Sequence, residues 1–356
     1  MKITALIMAG GKGERFWPKS RTNTPKQFLH LADNELSMIQ LTKARISALV
    51  PNEDIYIVTN KNYKTLVLEQ LPDIPKENIL CEPVGRNTAP CIGLGALYIL
   101  NKYDDALMIV LPSDHLIKFS DLYINALKDA CEVAAHHDNL VTIGITPDYP
   151  ETGYGYIKFN SKVTEGRAFC VERFVEKPRL ANAKEYLSSE EYLWNSGTFV
   201  WKISSIMKRF AELLPETYIH LQNIRNAIAE KNEQDVLEKE FSLMDSVSID
   251  YGIMEKANDI FVVPGTFGWD DVGSWLAVSR IKKSNDEGNV VEGDVITIST
   301  QNNVILGSNR LIAMVGMENT VVVDTNDAIL ICAKDSTSEI KKVLETLKIC
   351  NRNNLI

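Results

Sequence analysis

The sequence predicts an α/β protein: a doubly wound sheet with helices on both faces, followed by a small β-helix-like domain that closes on a helix. Two observations carry this. Over the first 270 residues short β-rich apolar runs alternate with helical patterns, and after about Ser284 they give way to closely spaced short strands. The expected strands are Ile3–Ala9, Asp54–Thr59, Ala106–Leu111 and Leu140–Ile145. Between them lie three expected helices. Ser37–Val50 carries Ile39, Ile46 and Leu49 on one face; Thr88–Leu100 has Asn87 as its N-cap and Pro90 in its first turn; the third is Ser120–His136. The βαβα order implies a parallel sheet. Beyond the fourth strand GYGYIKF and AFCVERFVEKP lean towards β, and helical runs follow near Leu180–Ser188 and from Ile203 to about Leu214.

The C-terminal part has four short apolar strands, VIL, RLIAM, TVVV and AILI, each just after an asparagine: Asn303, Asn309, Asn319 or Asn326. Asparagine tolerates left-handed turns, so the segment reads as a β-coil of short rungs. In the closing DSTSEIKKVLETLK, Ser336 with Glu339 forms a capping-box pattern, and Ile340, Val343, Leu344 and Leu347 fall on one helical face. The expected domains are therefore 1–284 and 285–356, the second a small left-handed β-helix-like domain with a C-terminal amphipathic helix. Its function-bearing alternative is a partner-binding helix. Oligomeric state is not legible, although the apolar rungs offer a surface for a homodimer.

Composition narrows the partners. A net charge of −9 and a pI near 5.3 argue against a general nucleic-acid binder. No apolar run reaches the roughly 20 residues that span a bilayer, and MKITALIMAGG reads as a first core strand rather than a signal peptide. The six cysteines, Cys81, Cys91, Cys131, Cys170, Cys332 and Cys350, form no C-x-x-C pair. That spacing fits reduced, mostly buried thiols in a cytoplasmic protein rather than a zinc site or a disulfide framework.

Residues 5–29, ALIMAGGKGERFWPKSRTNTPKQFL, pose the functional question. An apolar strand breaks into Gly10, Gly11 and Gly13, then into Arg15, Lys19, Arg21 and Lys26, with almost no acid between them. A local surplus of cations in an acidic chain calls for a local anion. A P-loop needs G-x-x-x-x-G-K-[ST], which is missing here. A dinucleotide fingerprint needs a third glycine where Phe16 stands, and Phe16 could not allow the close helix–strand contact. The remaining reading is a glycine loop whose backbone N–H groups wrap a triphosphate, with Arg15 and Lys26 reaching in. A solvated surface loop is the bland alternative.

The string AGGKGERFWPKSRTNTPKQF resembles the signature loop of the sugar-nucleotide pyrophosphorylases. EPVGRNTAP, LPSDH, FVEKP, WNSGTFVW and GWDDVGSW, in that order, are similar to the motifs of the mannose-1-phosphate guanylyltransferases within that family. The resemblance spans residues 1 to about 281. It implies a Rossmann-like mixed sheet of the nucleotidyltransferase, GT-A-like type. The reaction it implies takes GTP and mannose 1-phosphate to GDP-mannose and pyrophosphate, with Mg²⁺ as cofactor. Some relatives continue into a cupin-like phosphomannose isomerase domain; this chain ends before one, so no isomerase activity is expected.

The nucleophile of such a reaction is already an anion at pH 7, because a phosphate's second pKa is about 6. No general base is needed, and the five histidines form no nucleophilic constellation. The chemistry needs relief from bringing two polyanions together: two unit charges 4 Å apart repel by about 4 kcal/mol at an effective dielectric near 20. Asp114 in LPSDH lies just past an apolar strand, where open α/β sheets place ligands. The resemblance makes Asp114 and Asp271 the Mg²⁺ ligands, a sparse oxygen site of the kind Mg²⁺ prefers. Asp270 reads instead as a solvated loop carboxylate.

Arg15, Lys26 and Lys177 are the implied catalytic cations: the first two face the leaving pyrophosphate, and Lys177 holds the sugar phosphate. Lys19 and Arg21 read as rim charges that steer the nucleotide or solvate the loop. Ala9, Gly10, Gly11 and Gly13 of the loop, with Glu82, Arg86, Asn87 and Thr88, are the implied nucleotide-binding residues. Glu82 can accept from guanine N1–H and N2–H₂, while Asn87 or Thr88 serves O6; Asn87 as a simple N-cap stays open. Gly153, Glu176, Lys177, Asn195 and Gly197 are implied for the sugar phosphate, with a surface ion pair as the alternative for Glu176 and Lys177. Asp250 could touch the sugar or brace its loop, and Trp194, Trp201, Trp269 and Trp275 read as walls and core. Competing functions are a sister transferase with another sugar or nucleotide, a non-catalytic sugar-nucleotide sensor, and a nicotinamide oxidoreductase.

Overall fold

The β-branched runs form strands wherever both faces of the sheet can be covered, and the computed structural model describes them over residues 1–230 and 233–356. In chain order the strands are β1 Lys2–Ala9, β2 Ile55–Asn60, β3 Ile79–Glu82, β4 Ala106–Pro112, β5 Leu116–Ile117, β6 Leu140–Ile145, β7 Tyr156–Glu165, β8 Ala168–Val175, β9 Tyr192–Lys202, β10 Ile260–Gly265 and β11 Trp269–Asp270. The helices among them are α1 Met38–Ile46, α2 Lys64–Gln70, α3 Thr88–Leu100, α4 Ser120–Ala135, α5 Leu180–Ser189, α6 Ile203–Leu213, α7 Pro215–Glu230 and α8 Glu233–Leu243. Then come α9 Trp275–Ile281, β12 Val290–Glu292, β13 Val295–Ile298, β14 Val304–Leu306, β15 Ile312–Val315, β16 Thr320–Asp324, β17 Ile329–Ala333 and α10 Ile340–Ile349.

Contacts divide the chain into two compact units. One comprises Met1–Gly10, Lys43–Ser113 and Ile117–Trp269; the other comprises Gly11–Thr42, Asp114–Leu116 and Asp270–Ile356. These units are not continuous in the chain: Gly11–Thr42 and Asp114–Leu116 group with the C-terminal residues. The signature loop groups with the C-terminal coil because its aromatic residues are buried there.

The first unit is a nine-stranded sheet of order β3-β2-β1-β4-β9-β6-β10-β8-β7. Pairs β1–β2, β1–β4, β2–β3 and β6–β10 are parallel. Strand β9 lies antiparallel between β4 and β6, so the sheet is mixed, where alternation alone implied a parallel one. The strand that the alternation leaves out is WNSGTFVW itself, whose Trp201 and Phe199 are buried in the core with Leu6, Phe210 and Phe241. Helix α3 begins and ends where the sequence places it, and Asn87 Oδ1 accepts from Thr88 N at 2.9 Å.

In the second unit β12, β14 and β16 stack in parallel register, Val290 on Val304 on Val321, with β13 on β15 as a separate two-stranded sheet. Strand β17 breaks the coil: it returns antiparallel on β16. The asparagines meet expectation at Asn319 and depart from it at Asn303. Asn302 and Asn319 take the left-handed turns, at φ 52° and 51°, whereas buried Asn303 bonds along the stack. Its Nδ2 donates to Asn289 Oδ1 at 2.9 Å, and its Oδ1 accepts from Thr320 N at 2.8 Å. Helix α10 buries Ile340, Leu344 and Leu347 as its pattern requires, but a 3₁₀ turn Lys334–Glu339 precedes it and the expected capping box makes no side-chain bond. The core of this unit joins the coil valines to Phe16, Trp17, Trp275 and α10.

Candidate active site

The loop after β1 owes its shape to two side chains and one glycine. Phe16 is buried edge-on against Trp275, with ring centroids 5.0 Å apart, and Trp17 Nε1 donates to Leu355 O at 2.7 Å. Only a 3₁₀ turn, Glu14–Phe16, follows the glycines, so no long helix starts there as a dinucleotide fold would need. Gly13 has φ +61°, and a Cβ on it would lie 2.5 Å from Lys26 Cβ and N. Gly13 is therefore obligatory for the loop's own packing. Gly11 differs: a Cβ there meets no atom within 4 Å, although its carbonyl accepts from Gln27 Nε2 at 3.0 Å.

A pocket of about 330 Å³ lies over this loop, lined by Lys12, Gly13, Glu14, Arg15, Phe16, Lys26, Asp114, His115, Asp271, Gly273 and Lys341. Both expected metal carboxylates and both expected leaving-group cations thus share one pocket. Lys26, only 6% exposed, sets its Nζ 2.7 Å from Asp114 Oδ2 and donates to Asp271 O at 2.6 Å. Arg15 Nη1 reaches Gly273 O at 3.5 Å. Gly273 N donates to Asp271 Oδ1 at 2.9 Å, which fixes that carboxylate. Burial opposes ionisation of Asp114, but the charge of Lys26 and its hydrogen bond to the carboxylate outweigh it and hold the carboxyl below its ordinary value. Burial pushes the His115 imidazole down, so it faces the pocket neutral at pH 7.

Asp270 is not a solvated carboxylate. It is 8% exposed, with Oδ2 taking Arg280 Nε at 2.7 Å, and Oδ1 taking Arg280 Nη2 at 3.1 Å and Val272 N at 2.7 Å. This bidentate pair commits Asp270 to the loop, and of the two neighbours it is Asp271 that lines the pocket. Arg21 is likewise no rim charge. Its Nη2 pairs with Asp327 Oδ1 at 2.6 Å, its Nε donates to Pro18 O at 2.8 Å, and its Nη1 donates to Leu355 O. Lys19 is partly buried, which lowers its pKa despite the opposing charge of Glu292.

The remaining candidates lie in the first unit. Glu82 ends β3 and is 4% exposed; its Oε1 has no hydrogen-bond partner among the described residues. Burial raises its pKa to about 7, against a small opposing effect of the Cys91 thiol. A Cβ on Gly10 would sit 3.1 Å from Glu82 Oε2, so that glycine gives the carboxylate room. Ala9 is buried, and its carbonyl accepts from Thr59 Oγ1 at 2.8 Å. Asn87 acts as the α3 cap, while Thr88 Oγ1 accepts from Ile249 N at 2.8 Å. Arg86 donates to Ser242 O near the end of α8. A cation suits that end of a helix dipole.

Asn195 Nδ2 donates to Asp250 Oδ1 at 2.7 Å, and Gly197, at φ 67°, donates its N–H to Asn195 Oδ1 at 3.0 Å. Asp250 therefore braces Asn195 from a π-helical turn, Asp250–Met254; burial and then the Glu176 charge raise its pKa. The glycine beside Glu176 and Asn195 is Gly155, which the sequence motifs do not single out: a Cβ there lies 3.0 Å from Glu176 Oε2. Gly153 instead donates its N–H to Glu151 Oε1 at 2.7 Å. Lys177 and Glu176 form a 2.8 Å ion pair with side chains 63% and 55% exposed, and Lys177 takes φ 38°, strained for a non-glycine residue. The tryptophans Trp194, Trp201, Trp269 and Trp275 are buried, and the six cysteines are free thiols, two of them buried and Cys350 exposed. Among the described residues no three His, Cys, Asp or Glu side chains group as a metal site, and no helix is long and apolar enough to cross a membrane.

Comparison with known proteins fits this geometry. A nucleotidyl transferase family model matches residues 4–287, and a model of the mannose-phosphate isomerase/GMP-like β-helix domain matches residues 293–347. The chain belongs to the nucleotidyl transferase family, within it to the mannose-1-phosphate guanylyltransferases. A mannose-1-phosphate guanylyltransferase of Salmonella muenchen is 42% identical over 357 residues, 99% of this chain and 75% of the relative. The one from Escherichia coli strain K12 is 40% identical over 99% of this chain and 75% of its own length. A solved structure from Thermus thermophilus, described as a mannose-1-phosphate geranyltransferase, superposes with a TM-score of 0.88 at 34% identity. It covers 98% of this chain and 100% of that one.

Proposed function

We propose that this enzyme transfers GMP from GTP to α-D-mannose 1-phosphate, releasing pyrophosphate. The carrying observation is the pocket that gathers Arg15, Lys26, Asp114 and Asp271. A phosphate oxygen of the sugar attacks the α-phosphorus in line, the bond to the β-phosphate oxygen breaks, and pyrophosphate leaves with the electron pair. Arg15 and Lys26 bind the oxygens on which that charge grows, so their attraction is strongest in the transition state. The pre-set hydrogen bonds of Lys26 to Asp114 and to the Asp271 carbonyl fix its ammonium before substrate arrives. Gly11 offers its backbone N–H to the phosphate chain.

Asp114 and Asp271 suit Mg²⁺: both are hard oxygen donors on one pocket, and two carboxylates leave the other positions to phosphate oxygens and waters. Bound there, Mg²⁺ would cancel charge between the two phosphate substrates. Glu82 selects guanine by accepting from N1–H and the exocyclic amine; its buried oxygen without a partner is the support for this role. Asn195, oriented by Asp250, and Glu176 bind sugar hydroxyls, and Lys177 binds the sugar phosphate. The free thiols fit a cytoplasmic enzyme.

The test pairs GTP, ATP, UTP and dTTP with mannose and glucose 1-phosphates, with and without Mg²⁺. Metal-dependent turnover of GTP with mannose 1-phosphate well above every other pair is expected. Preference for another nucleotide or sugar would move the enzyme to a sister reaction.

A further inference from the structure

The pocket over the signature loop has one lining side chain from the far end of the sequence. Lys341 stands in the first turn of α10, and it faces the same pocket as Arg15, Lys26 and Asp114. Its placement is built. Ile340, Leu344 and Leu347 pack α10 into the core that holds Phe16 and Trp17, so the helix lies against the Glu14–Phe16 turn. The last residues tighten that contact: Trp17 Nε1 donates to Leu355 O at 2.7 Å, and Thr22 N to Ile356 O at 3.2 Å.

The charge of Lys341 is uncompensated. It is exposed and makes no hydrogen bond or ion pair with any described residue, whereas its neighbour Lys342 pairs with Glu339. No acid stands in the first turn of α10. A cation there opposes the helix dipole, and the adjoining N–H groups add to the positive potential. Lys26 shares its charge with Asp114, so Arg15, Lys12 and Lys341 carry the rest of the positive charge that an incoming anion meets beside it.

We propose that Lys341 is a further binding residue for the polyphosphate, contacting the pyrophosphate portion of GTP and the pyrophosphate product. The C-terminal helix thereby supplies part of the leaving-group site. This rests on the reading of the pocket as the triphosphate site.

The experiment compares Lys341→Ala and Lys341→Glu with Lys342→Ala on the full chain. Forward KM values are taken for GTP and mannose 1-phosphate, reverse KM values for pyrophosphate and GDP-mannose, and thermal midpoints are recorded alongside. Loss of one charge-assisted contact predicts KM for GTP and pyrophosphate rising ~10-fold in Lys341→Ala and further in Lys341→Glu. KM for mannose 1-phosphate should move less than about twofold, and Lys342→Ala should match the parent. Unchanged KM for pyrophosphate, or equal rises for all four substrates, would overturn the proposal. If the parent shows no GTP turnover, the functional reading fails separately. Calorimetric titration with inorganic pyrophosphate then decides: weaker binding by Lys341→Ala than by the parent supports the site, while equal binding or none by the parent refutes it.

Discussion

Replacing Glu82 by glutamine should make the protein more stable and the enzyme worse. The side chain is 4% exposed, and burial raises its pKa from an ordinary 4.5 to about 7. The folded-state value lies above the unfolded one, so the native state binds the proton more tightly. The stability this confers is full below pH 4.5 and is lost as pH climbs through 7. Integrating the proton uptake, the ionised carboxylate costs the fold about 3 kcal/mol at pH 8 and about 2 kcal/mol at pH 6. The neutral amide escapes that cost. Urea unfolding should therefore find Glu82→Gln more stable than the parent by those amounts at the two pH values. In the same variant the amide cannot accept from both guanine donors, so KM for GTP should rise by ~10- to 100-fold. Equal stability at pH 8, or an advantage that grows as pH falls, would refute the buried-carboxylate argument. Raised stability with unchanged KM would remove Glu82 from base recognition.

Asp271→Ala should abolish turnover with little loss of stability, whereas Asp270→Ala removes the bidentate partner of the solvent-exposed Arg280 and the acceptor of Val272 N and should cost ~1 kcal/mol in unfolding experiments. Asp114→Ala should abolish turnover and also cost ~3 kcal/mol, because it leaves buried Lys26 without its carboxylate; full activity of either pocket variant with excess chelator present would refute the metal assignment. Gly13→Ala should unfold at markedly lower urea, since its Cβ meets Lys26 at 2.5 Å, while Gly11→Ala should fold normally and raise KM for GTP. Lys177→Ala should raise KM for the sugar phosphate far more than for GTP and leave the melting temperature unchanged, its ion pair being exposed.

Local signals read well where periodicity and burial agree. Helix α3 runs from Thr88 to Leu100 as its cap and proline indicate, and β6 spans Leu140–Ile145 as expected. Strand β9 is illegible as a strand because its Asn195, Ser196 and Gly197 interrupt the apolar pattern; they serve a bulge next to Gly144 and the Asp250 contact. Arg15 and Lys26 stand out in the sequence as cations after a glycine turn and Asp114 as a carboxylate just past a strand end, whereas Asp271 stands out from Asp270 only through the resemblance of GWDDVGSW to the family's motif. The burial of Asp270, the use of Arg21 as a tie to Leu355 and Asp327, and the arrival of Lys341 are not legible. Each depends on a partner outside its own motif: Asp270 lies next to Asp271 in the chain, yet only tertiary contact with Arg280 separates their roles. Gly155 is hidden for the same reason, since its neighbours Glu176 and Asn195 come together only across β7, β8 and β9.

The central claim is that one pocket holds both the triphosphate and the divalent ion. A crystal of the enzyme with GTP and Mn²⁺ in place of Mg²⁺ tests it through the anomalous signal of the metal. The expected peak touches the carboxylates of Asp114 and Asp271, with phosphates against Arg15 and Lys26. Manganese bound elsewhere, or a triphosphate that leaves Lys26 and Arg15 untouched, would contradict it.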